Sequence, residues 1–162
     1  MTIQKKLTDN ISMKKILPQA NDLNKVIDVM TFLHYHPGSS YREIAEYIGF
    51  TERQAKYYAD TCVYLDLIDS QRKPTVVCED IFKNNPQNIT ERVYERIMID
   101  DLMGQVFARA YVLPDSDLDA FSQELVSYYY PEITGESTFE RRTHNIVLWC
   151  KRIIKYINLK HQ

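Results

Sequence analysis

Residues 40–77 read SYREIAEYIGFTERQAKYYADTCVYLDLIDSQRKPTVV, and the fold turns on this stretch. Twice within it a hydroxyl residue is followed three positions later by Glu or Gln: Ser40-Tyr41-Arg42-Glu43 and Thr51-Glu52-Arg53-Gln54. In that spacing side chain and backbone satisfy each other's unpaired N–H groups, so each marks a helix start. Ile44, Ala45 and Ile48 give the first helix a narrow apolar stripe, and Gly49 can take the left-handed conformation that ends a helix before an abrupt turn. Phe50 can then staple onto Ala55 and set the entry angle of the second helix. There Ala55, Tyr58, Ala59, Cys62 and Leu65 recur at helical spacing, which predicts a buried face and leaves Glu52, Arg53, Lys56, Tyr57, Asp60 and Tyr64 outward. Beyond it, Leu67-Ile68-Asp69 and Thr75-Val76-Val77 read as two short strands around Ser70-Gln71-Arg72-Lys73-Pro74, a turn with adjacent cations at its tip.

Outward from this unit the helical period dominates. Leu23, Val26, Ile27, Met30 and Leu33 fall at i, i+3, i+4, i+7 and i+10, predicting an amphipathic helix over 22–35 that His36-Pro37-Gly38 ends. Lys83 to Ile89, rich in Asn and containing Pro86, reads as a linker. Thr90 to Val112 reads as one long helix on Val93, Ile97, Leu102, Val106 and Ala110. Asp115 or Ser116 can cap the next, which carries Leu118, Phe121, Leu125 and Val126 and stops before Pro131. Ser137-Thr138-Phe139-Glu140 repeats the capping pattern and opens a last helix to about Asn158. The expected fold is mainly α: a helix-turn-helix with a small β-wing over 16–82, followed over 90–160 by a second helical unit.

The formal net charge of −2 hides a segregated distribution. From Glu91 to Glu136 ten acids oppose Arg92, Arg96 and Arg109, whereas from Ser137 to Lys160 the basic residues Arg141, Arg142, Lys151, Arg152, Lys155 and Lys160 face Glu140 alone. A protein meets phosphates with a face and not with its average, so near-neutrality does not exclude nucleic acid. Arg141 and Arg142 also stand near a helix start, where cations oppose the helix dipole and need some other partner. No apolar run approaches the ~18 residues of a membrane span. Met1 to Lys15 lacks the uninterrupted apolar core of a secretory leader, so the expected compartment is the cytoplasm. Cys62, Cys78 and Cys150 are odd in number and read as reduced core thiols.

The stretch 40–77 resembles the winged helix-turn-helix superfamily through Tyr41-Arg42-Glu43-Ile44-Ala45, Gly49-Phe50-Thr51 and Tyr64-Leu65-x-Leu67-Ile68. That resemblance implies binding of double-stranded DNA, with Arg53, Gln54, Lys56 and Tyr57 in the major groove and Arg72 and Lys73 of the wing on the phosphate backbone. The run Ser137-Thr138-x-Glu140-Arg141-Arg142, followed by Val147-Leu148-Trp149, is similar to a helix of the tandem winged-helix DNA-recognition regions associated with type II restriction endonucleases, and Ile16 to Leu23 points the same way. This second likeness implies a winged-helix-like second unit, a DNA contact at Arg141, Arg142 and Asn145, and a place in a restriction-modification system beside a nuclease domain or subunit.

Catalytic patterns are lacking. His34 and His36 diverge on a helix and have no Cys or Glu at a supporting metal spacing. Pro114-Asp115 supplies the first element of a nuclease centre, but no acid-x-Lys follows. Four glycines give no phosphate-binding or dinucleotide loop. The expected protein is therefore a non-catalytic DNA-binding module without metal or cofactor, and palindromic sites would call for a homodimer. The alternatives are a protein–protein interaction module, a transcriptional regulator, or part of a larger nuclease.

Overall fold

A computed structural model describes residues 15–161. Among the described residues eight helices follow one another: α1 (Leu23–Tyr35), α2 (Tyr41–Ile48), α3 (Glu52–Tyr64), α4 (Val76–Asn84), α5 (Ile89–Met98), α6 (Asp101–Val112), α7 (Leu118–Tyr129) and α8 (Glu136–Lys160). Residues 1–14, which include most of the segment read for a leader, lie outside the described part.

The two capping boxes form as their spacing predicts. Ser40 Oγ accepts from the Glu43 N–H while Glu43 accepts from the Ser40 N–H, and Thr51 and Gln54 repeat the exchange. Gly49 ends α2 at φ +86°, a left-handed conformation open to glycine at little cost. Asp22 caps α1 by accepting from the N–H groups of Asn24 and Lys25. Phe50 stacks on Tyr58, with ring centroids 4.8 Å apart. Ala55, Tyr58, Ala59, Cys62 and Leu65 are buried as the period requires, and α1 and α2 both pack on α3.

The β-wing does not form. Among the described residues the structure holds no β-strand, only an isolated antiparallel bridge between Ile68 and Pro74, so the expected winged helix-turn-helix fold, with its winged-helix-like second unit, is replaced by an all-helical one. The cause is local. Thr75, read as a strand residue, accepts a hydrogen bond from the Cys78 N–H and caps α4. Cys78 and Ile81 then enter the core one helical turn apart. The β-branched run favoured a strand, but its Thr is also a good N-cap and tertiary packing decides between them.

Four further expectations are corrected. Residues 90–112 form two helices, because Asp100 accepts from the N–H groups of Leu102 and Met103 and restarts the chain in a new direction. Tyr64 is buried, since the corner between α5 and α6 covers it and its hydroxyl donates to Asp100 Oδ2 at 2.7 Å. Asp117, beyond Asp115 and Ser116, caps α7. Helix α8 begins at Glu136 with no side-chain cap, so the Ser137–Glu140 box is absent. The longest helix, α8 lies against α6 and α7 through Ile146, Val147, Cys150 and Ile153, and the buried side chains of the described chain form one continuous core.

Candidate nucleic-acid interface

Two regions far apart in sequence meet at the start of α1. Trp149 of α8, buried, donates its indole N–H to the Asn21 carbonyl at 3.2 Å. One turn along, Arg152 Nη2 donates to Asn24 Oδ1 at 2.8 Å, and two turns before Trp149, Arg141 Nη2 donates to Gln19 Oε1 at 3.1 Å. From the other side Tyr58 of α3 donates its hydroxyl to Asn21 Oδ1 at 3.0 Å and accepts from the Asp22 N–H at 3.2 Å. Burial holds the Tyr58 phenol above its ordinary pKa, so it stays a neutral donor. The segment 19–24 is thus clamped between α3 and α8.

This clamp leaves a cleft of about 330 Å³. Gln54 and Tyr57 of α3 line one wall, Arg141 and Asn145 of α8 the other, and Phe50 and Lys25 stand at its side, with the Lys25 ammonium 4.8 Å from the Phe50 ring centroid. Asp22 is the one acid among the lining residues, and one of its oxygens is taken by the cap of α1. The Gln54 oxygen is held by its capping box, which aims the rest of the amide without engaging its NH₂ group.

The cations around this cleft differ in how far they are committed. Exposed Arg53 donates from Nε to the Tyr57 hydroxyl at 2.7 Å, its guanidinium 5.5 Å from that ring. Lys56 pairs with Asp60 at 2.6 Å, and this hydrogen bond raises the Lys56 pKa. Arg142 is half-buried beside Tyr57; burial first, then the charge of Arg141, pulls its pKa below the ordinary value, and its Nε has no partner among the described residues. Two adjacent guanidiniums, one of them desolvated, create a local demand for an anion.

The turn 69–74 contributes differently from the sequence expectation. Asp69 Oδ1 accepts from the N–H groups of Gln71 and Lys73 and closes the turn. Arg72, at φ +61°, folds back: its Nε donates to the Ser39 carbonyl at 2.5 Å, its backbone carbonyl accepts from the Gly38 N–H, and its guanidinium lies 4.9 Å from the Tyr41 ring. Arg72 therefore ties the turn to the junction of α1 and α2, while Lys73 stays exposed. Tyr41 and Tyr57 are both within electrostatic reach of Lys56, so the turn, α3 and α8 share one band of cations and tyrosines.

Of the nine residues read as DNA contacts, Gln54, Tyr57, Arg141 and Asn145 line the cleft, Arg53, Lys56 and Arg142 stand around it, and Arg72 and Lys73 lie on the turn. Sequence reasoning missed Gln19, Asn21, Lys25 and Arg152. For Arg152 a signal existed: Arg141, Asn145, Leu148 and Arg152 follow i, i+4, i+7, i+11 and make one stripe of α8. The others owe their place to docking between remote segments.

Among the described residues the geometry defines an all-helical protein with a short helix-turn-helix corner and a polar, cation-rimmed cleft between α3 and α8. Residues 25–158 match the family described as Domain of unknown function (DUF7226), and the chain belongs to that family. No curated protein and no solved structure matches it. Among the described residues no helix is long and apolar enough to cross a membrane.

Proposed function

We propose that this protein binds double-stranded DNA through the first turns of α3 and the basic stripe of α8, acting as a non-catalytic recognition or accessory module of a restriction-modification system in the cytoplasm. The observation that carries the reading is the convergence of Gln54 and Tyr57 with Arg141 and Asn145 on one cleft, although the two pairs are separated by more than eighty positions. Asn145 offers the paired donor and acceptor that read base edges, Gln54 adds its NH₂ donor, and the surrounding guanidiniums supply phosphate contacts. The link to restriction-modification rests on the sequence likeness of the α8 segment. A nuclease domain or subunit is the partner it implies, and a second copy would serve a palindromic site.

The test is a fluorescence-anisotropy titration of the full chain against a random-sequence duplex at several salt concentrations, with Arg53→Ala/Lys56→Ala and Arg141→Ala/Arg142→Ala variants. The expected result is an affinity that falls steeply with salt, with each double variant lowering the log–log slope by about one to two. Absence of binding at low salt overturns the reading.

A second reading, a protein–protein interaction module or transcriptional regulator acting through a protein partner, is favoured by one other feature. Tyr111, Val112 and Leu113, at the end of α6, are each more than half exposed near Asp115 and Asp117 in the chain, an apolar ledge with an acidic edge.

A further inference from the structure

The cleft between α3 and α8 is built for more than a phosphate backbone. Its ~330 Å³ lies at the small end of the ~300–1,000 Å³ range of ligand clefts, room for one nucleoside and little else. Asn145 is half-buried, and neither end of its amide has a hydrogen-bond partner among the described residues; across the cleft the NH₂ group of Gln54 is equally unengaged. The Asn145 amide both donates and accepts and the Gln54 NH₂ donates, a set that suits a base edge, whereas a bare anion would prefer donors only and would be repelled by Asp22. Aromatic side chains of Tyr57 and Phe50 supply apolar surface for a base, and Arg141 lines the same cleft as a cation for the attached phosphate.

We propose that this cleft takes a single nucleotide swung out of the duplex, held at its base edge by Asn145 and Gln54 and at its phosphate by Arg141. The inference rests on the DNA-binding reading and specifies the ligand of that same site. Extruding a nucleotide costs unpairing and unstacking, so a duplex in which that cost is already met must bind tighter.

The experiment compares two end-labelled duplexes that differ only in one unpaired adenine, titrated by anisotropy with the full-length wild type and with Asn145→Leu, whose folding is checked by far-UV circular dichroism. The expected result is about tenfold or greater preference of the wild type for the bulged duplex. Asn145→Leu, which obstructs the cleft, is expected to lose that preference, read as the ratio of its affinities for the two duplexes and not from either affinity alone. Equal affinity of the wild type for both duplexes overturns the proposal and leaves DNA binding standing. A preference that survives in folded Asn145→Leu removes it from this cleft, and absence of binding to either duplex overturns both readings.

Discussion

Trp149 and Asn21, 128 positions apart, are joined by the indole N–H donating to the backbone carbonyl at 3.2 Å, and this bond seats the middle of α8 against the start of α1. Arg141 and Asn145 line the cleft from the same helix, opposite Gln54. Trp149→Phe keeps most of the buried ring but leaves the Asn21 carbonyl without its donor, and is expected to cost about 1 kcal/mol. Trp149→Ala empties a fully packed site and should cost ~3–5 kcal/mol. Urea unfolding followed by circular dichroism checks both; wild-type stability in Trp149→Phe would show that the bond does not secure the helix.

Arg72 makes the corresponding tie on the other flank. Its bond to the Ser39 carbonyl and its place over Tyr41 hold the turn 69–74 onto the α1–α2 junction. Arg72→Ala is expected to destabilise the protein by about 1–2 kcal/mol. Lys73→Ala, at an exposed position, should leave stability within about 0.5 kcal/mol. Thermal melts of the pair separate the two roles, and equal melting temperatures would refute the tie.

Features set by neighbouring residues were legible in the sequence; those set by remote packing were not. Ser40–Glu43 and Thr51–Gln54 formed their boxes because a cap closes within one turn and needs no other part of the chain. The core face of α1 followed from period, and that of α3 did except at Tyr64, which the α5–α6 corner covers. Thr75-Val76-Val77 misled because its β-branched residues carry strand preference while its first residue can also cap a helix, and the burial of Cys78 and Ile81 chose the helix. Residues 90–112 misled because both halves keep helical periodicity, so the period could not show the break that Asp100 makes. The cleft was half legible: the outward residues of α3 and α8 could be named, but their meeting depends on docking at Asn21, beyond any local pattern.

Gly104 shows how tightly the α5–α6 corner is closed. A Cβ at this position would lie well inside van der Waals distance of the Met98 carbonyl oxygen, a backbone atom that cannot swing aside. In an exposed helix Gly→Ala stabilises by ~1 kcal/mol through backbone entropy. Here the clash reverses the sign, and Gly104→Ala is expected to destabilise by about 1–3 kcal/mol. A gain in denaturation midpoint would mean that the corner yields freely.

The three cysteines lie in the core, free and buried. Burial pushes the Cys78 and Cys150 thiols up to about 12 and raises Cys62 as well, so almost no thiolate exists at neutral pH. Native protein should therefore be inert to a water-soluble disulfide reagent at pH 8, with three equivalents reacting once urea unfolds it. Rapid reaction in the native state would show that the core opens.

The end of α8 depends on one carboxylate, and its pH response has a defined sign. Glu91 Oε1 accepts from the Lys160 ammonium and, at 2.6 Å, from the Tyr156 hydroxyl. The Lys160 hydrogen bond first, then that of Tyr156, pull its pKa down to about 2 from an ordinary 4.5. A group whose folded pKa is depressed contributes its stability above the unfolded pKa and loses it as pH falls through the folded one. The contribution is therefore complete above about pH 5 and fades toward pH 2. Glu91→Gln should expose the amides of the last turns of α8 to faster hydrogen exchange at pH 6, the difference from wild type narrowing as the pH is lowered to 2.5. Equal protection in the two proteins at pH 6 would show that the terminal turns are held by Ile153 and Ile157 packing alone.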